Sequence, residues 1–290
     1  MIRRRLLAWY DAAHRDFPWR GTRDPYAILV SEVMLQQTQA ARVAERFPRF
    51  LARFPTAADL AAASTSAVLA EWSGLGYNRR ALALRDAAAV VSASGWPAAV
   101  ADLQRLPGVG PYTARAVASL AFHRRVGVVD TNVRRWLIRR LAVLDAPRAL
   151  QAASDALAMA ADDGRAADWT HATMEFGAAV CRPRTPRCDV CPIAVGCPSR
   201  GLVVEVPVPR QPALAGSTRE YRGSAIRMLG ATTPDHALGA DELRRRVNAE
   251  TSGPTLTADA WDRILAGLAR DRLVHRSGDL VRLGAATISE

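Results

Sequence analysis

All four cysteines of the 290-residue chain, Cys181, Cys188, Cys191 and Cys197, fall within 17 residues. Their spacing, C-x6-C-x2-C-x5-C, has a single CxxC at its centre. A shared ligand would force this loop to wrap around one point, and few folds tolerate that. A disulfide framework suits small secreted domains. The opening, "MIRRRLLAWYDAAHRDF", has no long apolar stretch and no small-residue cleavage site, so it reads as a first helix and a cytoplasmic location follows by default. Zinc sites more often pair two CxxC units across a longer gap. Four thiolates on one compact loop suit a [4Fe–4S] cube, with one sulfur per iron, and zinc is the alternative. A cluster closed by four cysteines has no position open to substrate, which points to a structural or redox role. Arg182, Arg184 and Arg187 lie inside the loop, where they can offset thiolate charge.

Upstream of the loop the chain is patterned for helices. Residues 24–54 carry apolar side chains at helical spacing, with a break expected at Pro48. Further helices are expected over 66–72, 79–94, 113–122, 131–144, 148–161 and 167–181, joined by short loops. The arginines of 131–144 are expected on a solvated face. Residues 201–218 are rich in Pro, Gly and Val and read as a linker. Beyond it, three short helices and a hairpin turning at Ser277-Gly278 suggest a small winged-helix-like module, in which Trp261, Ile264, Leu265 and Leu268 share one helix face.

The formal charge is +11, which draws a polyanion, and nucleic acid is the first candidate. A compositional drift towards arginine is the alternative source of that charge. All 39 basic residues are arginine and none is lysine, so no lysine can form a Schiff base with a sugar aldehyde. No apolar run reaches the roughly 18 residues of a membrane span.

Three stretches carry chemistry. "LPGVGPYTARAV" (106–117) is a tight Gly/Pro turn that opens a helix, and such turns aim backbone amides at phosphate. Gly108 and Gly110 let those amides approach, without reading base sequence. A nucleotide P-loop would need Gly-Lys-Ser/Thr, which is absent here. Asp130 precedes a helix and suits its N-cap. Glu32 interrupts the apolar helix "AILVSEVML". A buried carboxyl there either bonds a neighbouring helix end or, with its pKa raised, serves as a general acid.

"LPGVGPYTA" followed by "VVDTNVRR" resembles the helix–hairpin–helix superfamily of DNA glycosylases. The cysteine loop is similar to that of its endonuclease III and adenine-glycosylase branches. "SEVMLQQTQ" (31–39) and "GLGY" (74–77) narrow the resemblance to the adenine DNA glycosylase (MutY) family, over residues 1 to about 200. It implies a mainly α fold, with a two-lobed helix–hairpin–helix core and an iron–sulfur loop; the small C-terminal module lies outside the resemblance. The implied domains are 24–130 with the hairpin and 1–23 plus 131–200 around the cluster, and the residue pattern adds linker 201–218 and module 219–290.

The activity implied is monofunctional excision of adenine mispaired with 8-oxoguanine or guanine in double-stranded DNA. Glu32 is then the acid that protonates adenine N7, and Asp130 the carboxylate that stabilises an oxocarbenium-like sugar. Asn132 resembles the asparagine that bonds near that carboxylate. Tyr112 stands where the endonuclease III branch carries its Schiff-base lysine. Gln37 and Tyr77 resemble residues that fill the base stack beside a flipped nucleotide. Arg15, Trp19 and Arg20 resemble the adenine pocket wall.

Two positions depart from the family pattern, Asn78 after "GLGY" and His171 in "THATMEFG". The tail is shorter than the family's usual Nudix-like domain and resembles that of actinobacterial members. Two other readings compete: a thymine or uracil mismatch glycosylase of the same superfamily, and an iron–sulfur DNA-binding regulator. The paired carboxylates oppose the second. A monomer bound to the nucleoid, with no membrane partner, completes the expectation.

Overall fold

A computed structural model describes residues 1–160, 164–202, 204–207, 212–231 and 237–284. Up to the cysteine loop the chain is helical: α1 (Ile2–Ala13), α2 (Pro25–Leu35), α3 (Ala40–Arg53), α4 (Ala57–Ala62), α5 (Thr65–Trp72), α6 (Arg79–Ser94), α7 (Val100–Leu103), α8 (Pro111–Leu120), α9 (Thr131–Leu141), α10 (Pro147–Met159) and α11 (Ala166–Ala179). Local chemistry sets many of the ends. Thr56 and Asp59 form a capping box at α4, and Ser64 and Asp130 cap α5 and α9. Pro111 and Pro147 occupy first-turn positions, where a missing N–H costs nothing. Gly95, at φ 78°, stops α6.

Two expectations are corrected. The break foreseen at Pro48 falls instead at residues 36–39, and Pro48 lies inside α3. Val43, Phe47 and Phe50 form one buried stripe along α3, and their packing carries the helix past the lost hydrogen bond. The arginines of α9 do not share a solvated face. Arg135 and Arg139 are buried, because their guanidinium groups collect backbone carbonyls. A side chain with five donors can be buried when carbonyls surround it, and hydropathy patterning misses this.

By packing, the chain divides into two units, Met1–Glu32 with Trp96–Pro209, and Val33–Gly95 with Arg210–Glu290. The domain limits expected from sequence cut across these units. The core of the first gathers Leu6 and Leu7 of α1, Trp136 and Leu137 of α9, and Trp169 and Phe176 of α11. Trp136 meets Phe176 edge-on at 6.0 Å. α9 and α11 approach to backbone distance, and a Cβ placed on Gly177 would lie 2.6 Å from the Asn132 carbonyl oxygen. The expected linker is partly docked in this unit. Arg139 donates to Val204 O at 2.7 Å and Arg134 to Pro207 O at 2.7 Å. Residues 203 and 208–211 of that linker lie outside the described residues.

The second unit packs α3 to α6 around Phe50, Trp72 and Leu60. Its C-terminal part adds α12 (Thr218–Ala231), β1 (Leu238–Gly239), α13 (Ala240–Glu250), α14 (Ala258–Arg270), β2 (Val274–Ser277) and β3 (Leu280–Leu283). The strands form an antiparallel sheet of order β1-β3-β2. Trp261, Ile264, Leu265 and Leu268 are buried along α14 as expected, and the hairpin turns through Gly278 at φ 58°. In this C-terminal part β1 is the element that sequence patterning did not show, as α4 is in the part before it. Two residues are too few for an alternation signal.

Gly177→Ala is expected to force α11 away from α9, costing about 1–3 kcal/mol by overpacking. Denaturant unfolding should show that loss, and Asn132 should be displaced with it.

Candidate active site

α2 is buried on every side from Tyr26 to Met34, and Glu32 lies within that run. Its Oε2 is buried and has no hydrogen-bond partner. Burial pushes the Glu32 carboxyl up to about 7, the nearby Tyr112 hydroxyl acts against the rise, and the like charge of Asp130 adds to it. Tyr112, the second residue of α8, also points its hydroxyl at Met174 Sδ, 3.9 Å away. The Tyr112 phenol is itself pushed well up, first by burial and then by the two carboxyls, so it stays a neutral donor.

Asp130 serves as the N-cap of α9, as its position in the sequence suggested. Oδ1 accepts from Val133 N at 2.6 Å, and Oδ2 accepts from Asn132 Nδ2 at 2.7 Å. Burial raises its pKa, while these donors and the Arg135 charge favour the carboxylate. Asn132 in turn accepts from Arg135 Nη2 at 2.9 Å. The same guanidinium donates to Gly177 O at 2.6 Å and to Cys181 O at 2.7 Å. A buried cation thus fixes the amide that fixes the carboxylate, and it is tied to the start of the cysteine loop.

A third buried carboxylate was not singled out in the sequence. Glu175 of α11 accepts from Arg15 at 2.6 and 3.0 Å and from Arg20 at 2.6 Å. Burial opposes its charge, but the two guanidinium groups hold it below the usual carboxylate range. The signal was available: a glutamate on an apolar helix, as at Glu32. One turn earlier, His171 is buried, and burial together with Arg20 and Arg23 brings it down to about 3. A neutral imidazole there offers one donor and one acceptor. Trp19 is buried and stacks on Phe17 at 4.8 Å.

Cys181, Cys188, Cys191 and Cys197 line one cavity together with Arg139, Arg140, Arg187 and Arg200. No carboxylate or imidazole lines it. Among the described residues, no three His, Cys, Asp or Glu side chains converge closely enough to hold a single metal ion. At the hairpin, Gly108 takes φ 73°, which favours glycine, and Gly110 caps α8 with open space where a Cβ would stand. Gln37 and Tyr77 lie in the second unit, both at positive φ.

Comparison with known proteins places this geometry. Residues 30–158 match the model of the HhH-GPD superfamily base excision DNA repair protein. The chain is 41% identical over 288 residues to an adenine DNA glycosylase of Mycobacterium tuberculosis, covering 94% of this chain and 90% of that protein. The chain belongs to the adenine DNA glycosylase family. The Mycolicibacterium smegmatis adenine DNA glycosylase is 42% identical over 281 residues, covering 94% and 92%. The adenine DNA glycosylase of Homo sapiens is 41% identical over 227 residues, covering 73% of this chain and 42% of its own length. Among solved structures, a thermostable thymine-DNA glycosylase matches with a TM-score of 0.63 and 30% identity, over 69% of this chain and 95% of its own. An endonuclease III–DNA complex shares the fold at a TM-score of 0.58 and 23% identity, over 69% and 94%. For this adenine DNA glycosylase family member the fold is therefore the helix–hairpin–helix glycosylase fold, and the protein is a DNA N-glycosylase, a hydrolase.

The raised pKa of Glu32 has a sign for stability. The folded state binds a proton that the unfolded chain releases between pH 4.5 and about 7, so stability falls as pH rises through that window. Glu32→Gln is uncharged at every pH. It is expected to unfold like the wild type near pH 4 and to exceed it by up to about 3 kcal/mol at pH 8, read by urea unfolding across pH.

Proposed function

We propose that the protein hydrolyses the N-glycosidic bond of adenine mispaired with 8-oxoguanine or guanine in duplex DNA, leaving an abasic site and an uncut strand. The observation that carries this reading is the pairing of a buried Glu32 Oε2 that lacks a hydrogen-bond partner with an Asp130 whose two oxygens accept from Val133 N and Asn132 Nδ2. Burial raises both carboxyls, but only Asp130 has donors on both oxygens, so the pair can divide the roles of acid and anion.

In that reading Glu32 delivers its proton to adenine N7, and the C1′–N9 bond breaks with its electron pair leaving on the base. The Asp130 carboxylate stabilises the cationic C1′, or bonds it transiently, until water supplies the oxygen. Glu32 regains a proton from that water. Tyr112 orients the carboxyl pair, and the absence of lysine leaves no lysine amine to carry a Schiff-base strand cut. Arg15, Trp19, Arg20 and His171 line the path of the extruded base. Gly108 and Gly110 seat one DNA phosphate. Gln37 and Tyr77 occupy the stack that the base leaves. The likeness to a thymine-DNA glycosylase favours a pyrimidine reading. Thymine, however, offers no ring nitrogen like N7 to a buried acid, and the whole-chain relatives are named for adenine.

The four thiols and surrounding arginines fit a [4Fe–4S] cluster. A cube takes one thiolate at each of four separated irons, which suits thiols ringing a cavity lined by arginines that balance its charge. When bound, the cluster supplies a rigid, charge-balanced cross-link in the loop rather than a reacting centre. Among the described residues no helix is long and apolar enough to cross a membrane. We place the protein in the cytoplasm as a DNA-bound monomer.

The test is a set of duplexes carrying A:8-oxoG, A:G, T:G and U:G, cleaved with hot alkali after incubation. Adenine loss should exceed pyrimidine loss, and strands should stay intact without alkali. T:G turnover above both adenine substrates would refute the reading. Glu32→Gln is expected to lower excision at least about 10²-fold while duplex binding survives, because one general acid is worth roughly 10²–10⁴. Cys197→Ser should lose iron by metal analysis, along with the broad visible absorbance of the cluster.

A further inference from the structure

The turn after α5 is held under strain. Gly74, Gly76 and Tyr77 all take positive φ, at 89°, 71° and 48°. For a tyrosine this costs about 1–3 kcal/mol, and such a residue persists only where its surroundings over-determine it. Here they do. Trp72 Nε1 donates to Gly76 O at 3.1 Å. The Arg80 guanidinium donates to Leu75 O and Gly76 O, both at 3.1 Å, to Val33 O at 2.6 Å and to Gln36 O. One arginine therefore clamps both the turn that carries Tyr77 and the end of α2 that precedes Gln37. The Tyr77 side chain is nevertheless 39% exposed. A strained backbone that presents a large exposed ring is a feature of function more than of stability.

The outer end of that ring is held from the C-terminal module. Arg219, in the first turn of α12, donates from Nη1 to the Tyr77 hydroxyl at 2.8 Å, and its guanidinium carbon lies 5.6 Å from the ring centroid. Its Nη2 donates to Pro212 O at 3.2 Å. The module behind it is anchored to the same helices. α12 packs on α5, Arg272 pairs with Asp86 of α6 at 2.6 Å, and Arg79 reaches Asp271 at 3.6 Å. Several arginines of the module are matched by its own carboxylates, as in Arg222–Asp271, Arg227–Glu250 and Arg276–Asp262. Arg219 instead spends its charge on an aromatic side chain that the fold leaves exposed.

We propose that Arg219 is a positioning residue for Tyr77, and that through it the C-terminal module sets the pose in which this ring enters the base stack. The proposal rests on the stacking role given to Tyr77 above and adds the group that aims it. It also gives the module a task that needs no base reading of its own.

The test uses the full chain and a duplex with a tetrahydrofuran abasic analogue opposite guanine and 2-aminopurine in the adjoining pair, so binding and stacking are read without catalysis. Arg219→Ala is expected to bind roughly tenfold more weakly, the size of one charge-assisted hydrogen bond, and to change the 2-aminopurine emission of the complex. Tyr77→Phe, which removes only the hydroxyl, should shift both readouts in the same direction. The double variant should be no worse than the weaker single one, because both remove the same bond. Arg219→Lys should recover part of the loss. Wild-type binding and emission in Arg219→Ala would overturn the proposal. So would losses that add in full, or a silent Tyr77→Phe beside an Arg219→Ala whose defect follows its melting temperature. Coupling in a wild type that excises no adenine would refute only the glycosylase reading. Normal adenine excision with no coupling would refute only the role of Arg219.

Discussion

The buried guanidinium of Arg135 is the contact on which the candidate site of the first unit depends. It bonds Asn132 of its own helix, Gly177 O at the end of α11 and Cys181 O at the start of the cysteine loop. A cation in this position is tolerable because acceptors surround it, and removing any of them would leave donors buried and unpaired. Its consequence is geometric. Asn132 can hold Asp130 only while α9 and α11 stay at backbone distance, which the absence of a side chain at Gly177 allows. The helix cap and the candidate catalytic anion are thus one residue, stabilised by the same bonds.

The chemistry assigned to the site follows from unequal treatment of its carboxyls. Glu32 is buried with one oxygen unpartnered, and its proton is held to about neutrality. Asp130 is equally crowded but receives an amide N–H, an asparagine and the field of Arg135. Glu175 is the third case, buried but kept ionised by two arginines at close range. Burial raises all three, and only at Glu175 do the donors and charges reverse the rise, while at Asp130 they oppose it in part.

The second unit applies similar means to a different end. Arg80, driven down to about 10 by burial yet ringed by carbonyls, maintains a backbone that tyrosine would otherwise avoid. In both units an arginine that hydropathy would place in water organises the feature proposed to meet the substrate. With no lysine in the chain, guanidinium geometry is the main basic means available to this fold.

The sequence by itself determined most of the helices, the four-cysteine loop, the cap at Asp130 and the anomaly of Glu32. Each rests on local spacing or on a residue type set against its neighbours, and these survive folding. Turn chemistry likewise announced Gly108 and the hairpin, whose turn falls at Gly278-Asp279, one residue later than expected, because Ser277 still pairs with Leu280. Only the tertiary structure decided that Pro48 would be carried inside a helix and that Arg135 and Arg139 would be buried. It also decided that Glu175 would gather Arg15 and Arg20, and that Arg219 would reach Tyr77 from 142 positions away. The physical reason is common to all of these. Whether a charge or a strained backbone is tolerated depends on donors and acceptors contributed by distant segments, and no window along the chain contains them.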